Sequence, residues 1–556
     1  MGYKDWFKKA SVYQIYPKSF KDSNDDGIGD IKGIIQKLDH IENLGIEVIW
    51  LTPIYVSPQK DNGYDIEDYY NIDPIFGTMD DFEELLTEVH NRGMKLIMDM
   101  VINHTSTQHR WFKEAKKGED NPYHDFYIWK KTKDRKLPNN WKSKFGGSAW
   151  EYVEDIDKYY LHLFDVSQAD LNWENPKLRL EIYKMMNFWM KKGVDGFRLD
   201  VINLLSKNQD FPNDTLESPN HDGRRFYTDG PRIHEYLKDI NKNVFSLYEN
   251  SMTVGEMSST TIPNCINYTN PNNMELDMTF NFHHLKVDYL NGEKWILAQF
   301  EFDKLKEILF DWQVQMQVGN GWNATFWSNH DQPRALSRFG DDKSYRIESA
   351  KMLATSIHLM RGTPYIYQGE EIGMTNPNFE SINEYKDIES INAYKNLIKK
   401  GYSEDEVLQI LRFKSRDNSR TPMQWNENGG FTKGSSWIKM ANNYKIINAK
   451  YEIEDEESIY NYYKKLINLR KEYDIISHGD ITPILKDHES ILAYIREYKN
   501  QKLLVVCNFF AQNTEIDINQ YIKNFKCKIL IKNYCERDLS KSMILKPYEC
   551  FAILIN

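Results

Sequence analysis

An α/β fold is predicted: a closed (β/α)8 barrel with a subdomain inserted after the third strand and an antiparallel β domain at the C-terminal end. Three observations predict it. Short β-branched runs alternate with amphipathic helical stretches, the rhythm of βα units and a parallel sheet. Eight such runs can be counted, the number that closes a barrel. From about residue 481 the alternation stops and short strands follow one another without helices between them, as in an antiparallel sheet.

The eight runs are residues 12–16, 47–52, 95–101, 196–201, 252–256, 278–282, 324–328 and 364–368. Helical stretches follow most of them; residues 31–43 place Ile34, Ile35, Leu38 and Ile41 on one face of a helix. The first part of the barrel spans 1–104. Residues 105–173 are irregular and rich in Trp, too long for a plain loop, and read as an inserted subdomain. The barrel resumes over 174–480, and within it 376–437, carrying SRDNSRTPMQW and polar turns, is predicted to arch over the mouth. The runs ILAYIREY, KLLVVCNF, KCKILI and CFAILI supply the strands of the last domain, 481–556.

Composition bounds the function. The 556 residues are 40% hydrophobic and 14% aromatic, enough to bury a large core, so global disorder is excluded. The formal net charge of −11, with no block of like charges, argues against nucleic acid or an anionic membrane as partner. The five cysteines (Cys265, Cys507, Cys527, Cys535 and Cys550) are odd in number and make no CxxC, which reads as reduced thiols. The first residues lack the apolar core of a signal peptide, and no apolar run reaches membrane-spanning length. A cytoplasmic protein is the expectation, with its oligomeric state open, a monomer included.

Chemistry concentrates at strand ends, where a barrel of this type carries its site. The third run, LIMDMVINH, delivers Asp99 and His104; the fourth, DGFRLDVIN, delivers Arg198 and Asp200. The fifth, MTVGEM, ends in Glu256, and FWSNHDQPR after the seventh carries His330 and Asp331. Any one of these acids could simply cap the next helix. Three on one face of a barrel are costly to bring together, and glycoside hydrolysis is a reaction that needs such a group, one carboxylate as nucleophile or base and one carboxylic acid as proton donor. Arg198, two residues before Asp200, would keep it ionised as a nucleophile, while Glu256, after a glycine at an apolar strand end, would keep its proton as an acid.

DMVINH, QADLN, GFRLDVIN, VGEM and FWSNHD, in that order, resemble the five signature regions of the α-amylase family of glycoside hydrolases, which are TIM barrels. The resemblance implies a retaining mechanism with Asp200 as nucleophile, Glu256 as acid/base and Asp331 as transition-state stabiliser. It also implies that His104, Arg198 and His330 line the sugar subsite, and that Asp61, Tyr64 and Arg420 close it around a terminal glucose. Arg416 reads more simply as a loop salt bridge. Val201 and QADLN are similar to the oligo-1,6-glucosidase branch. Within it, SQADLNWENP, GRRFYTDGPRIHEY, GEMSSTTI and MELDMTFNFHHLKVDYLNGEKW resemble the trehalose-6-phosphate hydrolases of trehalose catabolism. Oligo-1,6-glucosidases carry acids where His283 and Lys286 stand.

A phosphorylated disaccharide is about a dianion near neutral pH and needs cations at the entrance of so acidic a protein. His283, His284, Lys286 and Lys294 follow the sixth strand and could ring the leaving sugar, Lys286 and Lys294 foremost; Lys142 and Lys144 could approach from the inserted subdomain. The rival readings are an oligo-1,6-glucosidase, a glucosyl-transferring or isomerising relative, and a non-catalytic binding protein. No cofactor is expected for catalysis. DSNDDGIGD places Asp22, Asn24, Asp26, the Ile28 carbonyl and Asp30 at the spacing of an oxygen-ligand loop, and oligo-1,6-glucosidases resemble this segment as a calcium site; Ca2+, or Mg2+ in the cell, would be structural.

Overall fold

A computed structural model describes residues 5–215, 221–522, 526–535 and 542–555. Among them, eight parallel strands form one sheet: β1 (Val12–Ile15), β2 (Val48–Leu51), β3 (Lys95–Met100), β4 (Gly196–Leu199), β5 (Met252–Glu256), β6 (Met278–Phe280), β7 (Ala324–Thr325) and β8 (Thr363–Tyr367). β8 pairs with β1, and a parallel bridge between Thr279 and Asn323 joins β6 to β7, so the sheet closes on itself. Every predicted run overlaps one of these strands, with ends shifted by up to a few residues. Apart from Lys95 the strand residues are buried on both faces, which is why apolar runs mark them and strict alternation does not.

Register places the future site. Arg198 lies opposite Asp99 across β3 and β4, and β4 can approach β5 only because residue 196 is glycine: a Cβ there would sit 1.9 Å from the Met252 carbonyl oxygen. The surrounding helices carry the caps their ends need. Thr78 and Asp81 form a reciprocal capping box on Met79–Asn91, and Asn175 caps Pro176–Lys192, which ends at left-handed Gly193. The single helix predicted over 31–43 is two, Ile31–Ile35 and Leu38–Leu44. Its first turn is tied to the preceding loop by the Asp30 carboxylate on the Gly33 amide and by Gly33 packed on the Lys21 carbonyl, and the chain re-aims before Leu38.

Within 105–173, the strands Trp129–Lys130, Trp150–Val153 and Lys158–Leu161 make a small antiparallel sheet. A ladder of His104–Ser106 against Gln168–Asp170 forms the base of this region. Trp141, Trp150, Phe211 and Tyr227 share one core, so the insertion is packed onto the segment that follows β4. Within 376–437, the helices Ile388–Lys399 and Glu404–Lys414 pack on each other through Leu397, Val407 and Leu411.

The C-terminal strands β9 (Asp480–Ile484), β10 (Ile491–Tyr498), β11 (Gln501–Asn508), β12 (Cys527–Lys532) and β13 (Cys550–Ile555) form an antiparallel sheet in the order β9-β10-β11-β13-β12. The five cysteines are free thiols, and among the described residues no helix is long and apolar enough to cross a membrane.

Candidate active site

At the C-terminal ends of the barrel strands, one guanidinium joins three carboxylates. Arg198, 1% exposed, donates through Nη1 to Asp99 Oδ1 at 2.7 Å and to Asp200 Oδ1 at 2.5 Å, while Nη2 lies 2.7 Å from Glu256 Oε2. Asp331 is held separately, by Arg420 Nη2 at 2.7 Å and Arg416 Nη1 at 3.1 Å. The residue after Asp200, Val201, has φ +36° and ψ +42°, a left-handed backbone that costs a β-branched residue about 1–3 kcal/mol. In this conformation its amide donates to Glu256 Oε2 at 3.1 Å. Strain beside one acid therefore orients the other.

Asp200, Glu256 and Asp331 line one cavity of about 270 Å³ together with Asp61, Tyr64 and His104. Tyr64 stacks on His330, ring centroids 5.3 Å apart and 6° from parallel, and its hydroxyl reaches Asp99 Oδ2 at 2.9 Å and His330 Nε2 at 2.6 Å. Gln168 Nε2 donates to Asp61 Oδ2 at 3.1 Å and lies 3.2 Å from His104 Nε2, so the ladder at the base of the insertion delivers two polar groups to the wall. Arg198, His330 and Arg420 stand directly behind this wall. Arg416 faces the cavity itself and joins Asp331, Asp61 at 3.3 Å, Asp387 and Glu389 at 3.4 Å. It is an ion-pair hub, as a loop salt bridge would be, but one built into the pocket.

The residues expected around the leaving sugar separate. Lys286 and Lys144 line the cavity; Lys294 lines it too, but Glu389 Oε2 is 2.7 Å from its ammonium and answers its charge. Lys142 is exposed to solvent. His283 and His284 are not on the cavity wall. The 3₁₀ turn His283–Lys286 sends His284 between Phe326 and Trp327, with Nε2 2.9 Å from the Phe326 carbonyl, and lays His283 on Trp312 at 5.2 Å. Such a turn redirects each successive side chain, and here it presents Lys286 to the pocket instead.

Asp387, Glu389 and Arg224 had no strand-end signal. Asp387 was visible only as the N-cap of Ile388–Lys399, accepting from Ser390, and Arg224 lies within GRRFYTDGPRIHEY. In the 22–30 loop the carboxylates already accept amides: Asp22 those of Asn24, Asp25 and Gly27, Asp26 that of Ile28, Asp30 those of Ser23 and Gly33. No three His, Cys, Asp or Glu side chains stand together as metal ligands among the described residues, so a cation here would also need Asn24 Oδ1 and the Ile28 carbonyl. The all-oxygen donor set suits a hard cation.

Burial dominates the titration of the acids. It pushes Asp200 up to about 7 and Glu256 up to about 8, against the opposing pull of Arg198. Arg198 does not keep Asp200 low as expected, because its charge is divided three ways. The order is nonetheless the one a paired acid and nucleophile require: Glu256 holds its proton after Asp200 has lost one. Burial also raises Asp331, but His330, where its ring is protonated at low pH, and the permanent charges of Arg416 and Arg420 outweigh it and hold this carboxyl well below the usual range. Burial pushes the His330 ring down to about 3, leaving it neutral beside the acids.

Comparison with known proteins agrees with this geometry. Residues 14–479 match the model of the alpha amylase catalytic domain, and residues 481–551 that of the maltogenic amylase C-terminal domain. The chain belongs to the alpha-amylase family of glycoside hydrolases. It is 58% identical over 549 residues to trehalose-6-phosphate hydrolase of Bacillus subtilis (strain 168), covering 98% of this chain and 97% of that protein. It is 52% identical over 552 residues to oligo-1,6-glucosidase of Parageobacillus thermoglucosidasius, covering 98% of each. The crystal structure of Bacillus licheniformis trehalose-6-phosphate hydrolase aligns with a TM-score of 0.95 at 59% identity over 99% of both chains.

For an alpha-amylase family hydrolase with these acids, kcat/KM against pH should be bell-shaped, rising through about 7 as Asp200 ionises and falling through about 8 as Glu256 loses its proton. A profile level across both limbs would overturn the ordering. Because both folded-state values are raised, the stability these acids contribute is fully present below their unfolded values near 4 and is lost as pH rises through about 7 to 8. Glu256→Gln should therefore lose at least about 10³-fold in turnover while its Tm at alkaline pH stays equal or rises. An active variant, or an inactive one that melts several degrees lower, would contradict this.

Proposed function

We propose that the chain is a retaining, exo-acting hydrolase that converts α,α-trehalose 6-phosphate to glucose and glucose 6-phosphate. The observation that carries the substrate is the cation group on the wall beyond Glu256. Lys144 Nζ donates to Ser258 Oγ at 3.1 Å, two residues past Glu256, where the leaving sugar would depart. Burial, then repulsion from Arg224 and Lys286, lowers the Lys144 ammonium to about 8; burial, then Arg224, lowers Lys286 as well. Among the described residues no carboxylate pairs with Lys144 or Lys286, whereas Arg224 is held by Asp222. Crowded, half-desolvated ammonium groups are unfavourable until an anion joins them, and a phosphate monoester is such an anion.

In this mechanism a terminal glucose sits against Tyr64, with Asp61, His104 and Gln168 on its hydroxyls. Asp200 attacks C1 while Glu256 gives its proton to the bridging oxygen, and a covalent glucosyl-enzyme forms with the leaving sugar 6-phosphate held by Lys144, Lys286 and Arg224. Water then attacks C1 and the bond from C1 to Asp200 breaks, while Glu256 takes a proton from that water, restoring the Asp200 carboxylate and the Glu256 acid. Asp331, the one of the three acids held firmly ionised, stabilises the oxocarbenium-like state through the ring hydroxyls. A phosphorylated substrate and free thiols both suit the cytoplasm. A structural Ca2+ or Mg2+ would be bound by Asp22, Asn24, Asp26, the Ile28 carbonyl and Asp30. The second reading, hydrolysis of α-1,6-linked glucosyl ends, is supported by the likeness to the oligo-1,6-glucosidase, whose substrate needs no cations.

Assay on trehalose 6-phosphate and on isomaltose separates the two: the phosphorylated sugar should be preferred by at least about 10-fold in kcat/KM, the worth of a charge-assisted hydrogen bond. Lys286→Ala with Lys144→Ala should raise KM for trehalose 6-phosphate by about 10- to 100-fold and leave p-nitrophenyl α-glucoside within about threefold. Equal losses on both substrates would sink the phosphate assignment. A chelator should lower the Tm by several degrees, reversibly on adding Ca2+, without changing kcat in the folded protein. A Tm indifferent to chelator would remove the metal from the proposal.

A further inference from the structure

The opposite, N-terminal mouth of the barrel holds a separate cavity of about 320 Å³. Trp322, 4% exposed, forms its floor, and two cations lie on that one indole: Lys8 Nζ 5.1 Å and Arg361 Cζ 4.7 Å from the ring centroid. Phe7 meets the same ring edge-on, and Phe245, Met274 and Leu276 extend the apolar lining. Arg361 is 9% exposed and donates through Nη1 to the Gly321 carbonyl at 2.7 Å. Its backbone amide donates to Gln313 Oε1 at 2.9 Å; the other guanidinium donors have no hydrogen-bond partner, and the side chain has no ion pair, among the described residues.

The cavity's own acids are largely engaged by other partners, although Glu275 Oε1 has no hydrogen bond of its own among the described residues. Glu275 is held by His234 at 2.8 Å, with Lys238 at 3.7 Å, and Asp277 accepts the amide and the hydroxyl of Thr253 at 2.8 and 3.0 Å. Burial outweighs the attraction of Asp480 and pulls the Arg361 guanidinium down to about 10; burial also depresses Lys8, against the opposing pull of Asp5 and with Arg361 nearby. A buried guanidinium with one hydrogen bond carries an unanswered desolvation cost. Its planar donors, turned into a cavity beside a second cation, match the oxygens of a phosphate group, and the apolar lining matches a small organic body.

We propose that this cavity binds a small phosphate monoester through Arg361 and Lys8, with its organic part on Phe245, Met274 and Leu276. The site opens at the N-terminal ends of β5, β6 and β7, the far side of the barrel from Asp200 and Glu256, so its occupant is an effector or stabiliser and not the substrate. The inference is independent of the substrate proposed above.

Calorimetric titration of the full-length protein with inorganic phosphate and with glucose 6-phosphate tests it, using Arg361→Gln, Lys8→Met and the Lys144→Ala, Lys286→Ala double variant. In the double variant, glucose 6-phosphate should still bind with one equivalent. Adding Lys8→Met to it should weaken that binding by about 10-fold, the loss expected for one charge-assisted bond. Arg361→Gln alone should remove one binding event and leave kcat unchanged. If Arg361→Gln does not fold, the Lys8→Met result decides. No binding to the double variant, or binding indifferent to both Lys8→Met and Arg361→Gln, would overturn the proposal. Inorganic phosphate binding as tightly as the ester would overturn the role of the apolar lining.

Discussion

Three carboxylates can share the floor of this pocket only because Arg198 stands among them, and the rest of the site is arranged around that guanidinium. Asp99, Asp200 and Glu256 each reach it directly, and the rings of Trp50 and Tyr64 cover it at 5.3 and 5.8 Å. A lysine could not meet the demand: its ammonium is a compact point, whereas the planar fork offers two nitrogens to oxygens from three strands at fixed angles. Barrel closure supplies those angles. With Arg198 opposite Asp99 in register and β5 drawn close by Gly196, the three acids converge on one group without long, flexible side chains. Dividing one positive charge among three acids leaves each only partly compensated. That is why burial still raises Asp200 and Glu256, and why Asp331, with two arginines beside it, behaves differently.

The division of roles among the acids thus follows from how much positive charge each receives. It follows also from backbone strain, since the left-handed Val201 points its amide at Glu256 and ties the acid to the segment that carries Asp200. The insertion reinforces this coupling: the core built on Trp141, Trp150, Phe211 and Tyr227 includes Val201 and Leu204. A shift in the insertion would therefore be felt at the acids through packing as well as at Gln168 and His104 through their ladder. Position and charge are set by different parts of the chain, and both are needed.

Much of this was legible in the residues because barrel geometry converts sequence position into spatial position. An acid at the end of a buried apolar run must appear at the mouth, so Asp200, Glu256 and Asp331 could be placed from their strands. What was illegible depended on contacts between distant segments or on local turns. Lys294 looked as open as Lys286 until its partner Glu389, 95 residues away, came beside it. His283 and His284 stood as candidates beside the favoured Lys286, and only the 3₁₀ turn shows that their directions differ from it. The break before Leu38 was hidden because hydrophobic period alone does not reveal that Gly33 is pressed against Lys21. Arg224, whose charge repels Lys144 and Lys286, lay in a segment that carried a resemblance but no spacing that brought it near them.

The cations of the pocket fall into two groups, and the contrast bears on what the enzyme recognises. Arg416 and Arg420 are surrounded by Asp61, Asp331, Asp387 and Glu389, so their charge is spent on holding the wall in shape. Lys144 and Lys286 meet a serine and one another's repulsion instead. Structural arginines keep the sugar subsite rigid whatever is bound, because their partners are internal. The lysines gain most when an external anion arrives, because only then is their desolvation offset. Arginine where geometry must be fixed and lysine where a charge must be available to a ligand is the distribution expected from the two side chains. For the function proposed above, this distribution would separate recognition of the glucose ring from recognition of its phosphorylated partner, so that the second could change without disturbing the first.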